Sequence, residues 1–79
     1  MTKDQLESSL DAIGVHPSSF SLGSVRNSEC LCVVSENGEW KVYYVERDKP
    51  EELASPPSEE AAYDFVYATF CKWMGVKVP

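Results

Sequence analysis

The side chains of this 79-residue chain that could do chemistry are three cysteines, one histidine and a run of carboxylates. Cys30 and Cys32 form a C-x-C pair, which on a strand puts two thiols on one face. With Cys71 and His16 they could make up the four ligands of a tetrahedral zinc site. The spacing argues otherwise. Zinc sites favour C-x2-C knuckles, and no second paired ligand follows. Such cysteines ordinarily act as small half-buried hydrophobes. His16 is the single histidine, the usual general base, and stands beside Pro17 in a loop-like segment where a solvated or capping role is the ordinary one. The pairs Glu51-Glu52 and Glu59-Glu60, and Glu36 with Glu39, lack flanking patterns that bury and tune a carboxylate. No phosphate-binding glycine loop or nucleophile elbow is present. The expectation is a protein that is not an enzyme and uses no metal and no cofactor.

Binding is the remaining class of function. The formal net charge is −6 and the sequence pI about 4.5, so the chain repels nucleic acid phosphates and anionic membranes. A macromolecular partner would therefore be a basic protein. Seven of the thirteen acids lie between Glu46 and Asp64, against only Arg47 and Lys49, a concentration beyond what solubility needs. Glu46, Asp48, Glu51, Glu52, Glu59 and Glu60 are the candidate electrostatic contributors. Tyr43, Tyr63 and Tyr67 are candidate anchors, because tyrosine joins a large apolar body to a polar tip and is favoured in interfaces. The alternative is that these tyrosines only extend the core edge.

The length fits one domain, residues 1–79, with a small core. "MTKDQLESSL" is polar and helix-patterned, without the apolar region of a signal peptide, and no apolar run is long enough to span a bilayer. An odd cysteine count without a disulfide framework points to the cytosol. Residues 3–13 read as a helix, with Thr2 and Gln5 in capping-box spacing and Leu6, Leu10 and Ile13 on one stripe. Gly14 suits its end, and Val15 could fold back on it. Residues 19–22, 29–35 and 39–46 read as three strands. Asn37-Gly38 is the strongest short hairpin signal, and pairing across it sets Val33 opposite Val42 and Leu31 opposite Tyr44. Leu31, Val33, Trp40, Val42 and Tyr44 then share the core face. Tyr43 falls on the other face, expected to be partly open. Residues 47–58 read as an acidic, proline-rich loop. Ser58 caps a second helix running to Met74, with Ala62, Phe65, Val66, Thr69, Phe70 and Trp73 as its apolar stripe and Gly75 as its stop. The expected architecture is α+β in two layers, an N-terminal helix, a three-stranded antiparallel meander and a C-terminal helix.

This pattern resembles the small immunity proteins of bacterial polymorphic-toxin and contact-dependent growth inhibition systems. The resemblance covers residues 21–70, chiefly the hairpin "ENGEWKVYYVERDK", the break "EELASPPSEEAAYDF" and the aromatic-rich closing helix. It implies a cytoplasmic protein that neutralises a cognate toxin domain by tight stoichiometric binding, and it carries no specific binding residue onto this chain. A nuclease toxin (RNase or tRNase) holds phosphates in a basic cleft, which carboxylates would complement. The other reading is an acidic adaptor or regulatory module without a toxin partner.

Overall fold

The computed structural model describes residues 1–23, 29–46 and 49–75. The chain runs α1 (Lys3–Ala12), a 3₁₀ turn (Pro17–Ser19), β1 (Phe20–Leu22), β2 (Cys30–Glu36), β3 (Glu39–Glu46), β4 (Lys49–Ala54) and α2 (Glu59–Met74). Local chemistry sets the helix ends. Thr2 Oγ1 accepts from the Gln5 N–H at 3.2 Å, and Gln5 Oε1 accepts from the Thr2 N–H at 2.9 Å. This capping box satisfies two otherwise orphaned donors of α1. Past Gly14, the Val15 N–H returns to the Leu10 carbonyl at 2.9 Å and the Val15 side chain is buried. Ser58 Oγ accepts from the Ala61 N–H at 3.1 Å to open α2, and Gly75, at φ 72°, closes it in the left-handed region.

β2 and β3 form the expected hairpin. Asn37 and Gly38 both have positive φ, as a type I′ turn requires, and Val33 pairs with Val42 and Leu31 with Tyr44. Two expectations about the sheet are corrected. It is a four-stranded mixed sheet, ordered β1-β2-β3-β4, not a three-stranded antiparallel meander. β1 runs parallel to β2, with Phe20 opposite Leu31 and Leu22 opposite Val33. A three-residue strand carries no directional signal of its own; its direction follows from the end of the sheet at which α1 and the 3₁₀ turn deliver it. The connection between β1 and β2 includes residues 24–28, outside the described set.

The second correction is the acidic segment. Residues 49–54, expected in a loop, form the edge strand β4, antiparallel to β3. Its sequence "KPEELA" has poor strand propensity, but the free edge of β3 supplies hydrogen-bonding partners whatever the side chains are. Charges and Pro50, which has no N–H to donate, protect the outer edge against pairing with another chain.

Both helices contribute to one apolar cluster on one face of the sheet, giving a two-layer α+β fold. Leu6, Leu10, Leu31, Val33, Val42, Ala62 and Val66 are all at most 1% exposed within it. The helices run side by side in the same direction. The N-terminal ammonium before α1 meets Asp64 Oδ1 at 2.8 Å, while Gly14, after α1, lies beside Met74 at the end of α2. The α1 contact shifts the buried stripe of α2. Tyr63 and Cys71 are buried with Ala62, Val66 and Phe70, whereas Phe65 is only partly buried and Trp73 is 52% exposed. Tyr63, expected off the stripe, is in the core; Trp73, expected in it, is at its margin.

On the opposite face Cys30, Cys32 and Val45 are 2%, 0% and 1% exposed and pack with Tyr43. The face, expected to be partly open, is buried at this end and exposed at the other, where Glu36 and Glu39 stand. Phe70→Ala is expected to destabilise the fold by about 3–5 kcal/mol through lost burial and a cavity. Trp73→Ala, whose ring already stands half in water, should cost clearly less. Urea denaturation of both variants checks this; Trp73→Ala proving the more harmful would overturn the core assignment.

Candidate functional site

Two of the three large apolar side chains exposed among the described residues, Leu53 and Trp73, stand at the margin between α2 and β4. Leu53, Phe65, Ala68, Thr69, Lys72 and Trp73 line a groove there. A β-bulge shapes one wall. Val42 pairs with Ala54 and Tyr43 with Glu52, leaving Leu53 without a direct partner. An extra residue of this kind re-aims a side chain, and here Leu53 joins Ala54 on the helix side of the sheet. The other wall is aromatic. Trp73 meets Tyr44 edge-on at 5.4 Å and 68°, and Phe70 at 5.7 Å and 83°. Two T-shaped contacts hold the indole in place while half of it faces water.

Carboxylates stand beside this aromatic seat. Glu51 is directly opposite Tyr44, so it shares the helix-side face. Burial holds the Tyr44 hydroxyl pKa above its ordinary value, with Glu29 and Glu46 adding to the rise. Lys49 pairs opposite Glu46, and Lys72 lines the groove. The local excess of negative charge is therefore small, and attraction to a basic partner comes chiefly from the whole-chain charge of −6.

The other expected site residues do not gather on this surface. Glu52 alternates to the opposite face, where its Oε1 lies 2.8 Å from Lys41 Nζ. Tyr43 is on that same face, and its hydroxyl donates to Glu36 Oε2 at 3.3 Å. Its pKa is raised by burial first and by Glu36 next. Glu59 and Glu60 are exposed in the first turn of α2, where carboxylates complement the helix dipole. Tyr63 is buried, and burial first and Glu59 next raise its pKa. Tyr67 is half-buried, and its interaction with the Cys71 thiol is the main cause of its raised pKa. Asp48 lies outside the described residues. The three tyrosines thus divide between the two sides of the sheet, and Glu51 and Glu52 between its two faces.

Trp73 and Leu53 were not among the residues expected from the sequence to bind. Two signals were present. Trp73 is within one turn of the Gly75 stop, where a helix end can overhang its sheet. Leu53 is a lone large apolar residue in an acidic, proline-rich stretch, and it needs a neighbour to cover it.

The chain matches no known protein family, no curated protein and no solved structure. Among the described residues, no helix is long and apolar enough to cross a membrane.

The Lys41–Glu52 pair makes stability depend on pH. Hydrogen bonding to Lys41 holds the Glu52 carboxyl below its ordinary pKa, and Glu52 holds the Lys41 ammonium above its own. A carboxylate with a lowered folded pKa adds stability that is present at neutral pH and lost as pH falls through that lowered value. The raised lysine keeps its share until strongly alkaline pH. Glu52→Gln should therefore lower Tm slightly at pH 7, and the deficit should vanish near about pH 2, where both proteins lack the charge. Melting curves across pH check this; a deficit that persists unchanged in acid would place its origin outside the ion pair.

Proposed function

We propose that this protein is an immunity protein that binds and neutralises a basic bacterial toxin domain, a nuclease, with the α2–β4 groove as its docking surface. One observation carries the choice of surface. Trp73 is half exposed, yet fixed against Tyr44 and Phe70, in a groove walled by Leu53 and Phe65. A pre-set aromatic anchor loses little conformational entropy on binding, and tryptophan is among the residues enriched where interface energy concentrates. The resemblance of the hairpin, acidic break and closing helix to immunity proteins supports the choice of partner. The net charge of −6 supports a basic one. In this reading the protein acts in the cytosol, by stoichiometric contact and without catalysis. Glu46 and Glu51 would steer the encounter, and Glu59 and Glu60, at the far end of α2, would add a longer-range field.

The test begins with co-expression of the protein with the C-terminal domain of a toxin encoded immediately upstream of it. Rescue of growth and co-purification in a fixed ratio are expected. Binding without rescue would favour the adaptor reading, and no binding would overturn the immunity reading. With the complex in hand, Trp73→Ala should raise the dissociation rate by about thirtyfold, equivalent to about 2 kcal/mol. Reversing charge at Glu46 and Glu51 should instead slow association, most at low ionic strength. Rates untouched by Trp73→Ala, in a variant that remains folded, would move the docking surface elsewhere.

A further inference from the structure

On the sheet face away from the helices, Cys30 Sγ and Cys32 Sγ stand 3.2 Å apart. Neither the fold nor the groove requires two thiols in contact. Among the described residues no further ligand joins them in a metal-holding group. It has the parts of a disulfide. Alternate residues of a strand lie about 6.4–6.8 Å apart at Cα. Disulfides span Cα separations of roughly 4.4–6.8 Å, so an intrastrand bridge is reachable at the strained end of that range. The sulfurs need to close from 3.2 Å to a bond length of about 2.05 Å.

We propose that Cys30 and Cys32 are a redox-active dithiol that closes into an intrastrand disulfide by exchange with a low-molecular-weight disulfide. The Cys30 thiolate attacks one sulfur of the small disulfide, which releases one thiolate and leaves a mixed disulfide on Cys30. The Cys32 thiolate then attacks Cys30 Sγ and expels the second small thiolate. The two cysteines give up two electrons and two protons, and the small disulfide is reduced to two thiols. The fold assigns the order. Cys30 is the first residue of β2, is 2% exposed and follows the exposed Glu29, so opening at the strand end would reach it before Cys32. Cys32 is fully buried one pleat further in and acts as the resolving thiol. Strain at the limit of disulfide geometry makes the closed form easy to reduce, so the bridge is reversible rather than structural. Cys71, buried on α2 beside Tyr67, is an internal control.

The experiment treats the purified, reduced, full-length protein with oxidised glutathione, alkylates remaining thiols under denaturing conditions, and measures intact and peptide masses. The expected product is two hydrogens lighter, with Cys30 linked to Cys32 and Cys71 alkylated. A Cys71→Ala variant should give the same bridge, and Cys32→Ser should stop at a glutathione adduct on Cys30. Across glutathione buffers of graded ratio, the bridge should be half reduced where ordinary structural disulfides stay oxidised. A protein that keeps all three thiols, or forms the bridge only after denaturation, would overturn the proposal. So would a bridge that involves Cys71. Far-ultraviolet circular dichroism of the oxidised wild type separates a closed bridge in a folded sheet from trapping of an unfolded chain.

Discussion

The pairing register across Asn37 and Gly38 is the constraint on which the rest of the structure depends. Both residues adopt positive φ, 52° and 80°, and this turn matches the natural twist of the two strands. It commits Leu31, Val33 and Val42 to the helices and Cys30, Cys32, Tyr43 and Val45 to the other face. A slip of β3 by one residue against β2 would turn Tyr43 and Val45 toward the helices and Val42 away from them. Tyr44 would leave the helix side as well, and Trp73 would lose its seat. β4 inherits the same register through β3, which is why Glu51 and Glu52 part company.

Much of this was legible in the sequence because it rests on short-range chemistry. The capping box at Thr2 and Gln5, the Ser58 cap, the Gly75 stop and the hairpin pairing each depend on residues within a few positions of one another. The misread parts depend on distant neighbours. The strand Lys49–Ala54 exists because β3 had an edge to offer, and nothing in "KPEELA" announces it. The parallel direction of β1 is a property of where the preceding helix sits. Tyr63 is buried and Trp73 is not because α1 lies along α2, and periodicity within α2 alone cannot report the bearing of a second helix.

The acidic run shows how composition misleads about surfaces. Contiguous carboxylates look like one patch in a linear reading. A strand sends alternate residues to opposite faces and a helix turns by 100° at each step, so the same run is dispersed once it folds. The candidate site gathers instead around side chains far apart in sequence, Tyr44 on β3, Leu53 on β4 and Trp73 on α2. Its fixed feature is aromatic packing, with charge as a diffuse background.

The parallel pairing of the two helices bears on how the protein is made. The N-terminal ammonium meets Asp64 across 63 residues of chain, and Leu6 and Leu10 share their cluster with Ala62, Tyr63, Val66 and Phe70. A nascent chain emerging from the ribosome with α1 and the hairpin complete therefore has only half of the cover for its apolar sheet face. At about 5–20 residues per second, that face waits seconds for α2 to be synthesised, exposed to chaperones and to other nascent chains. The apolar cluster can close only when α2 comes to lie beside α1.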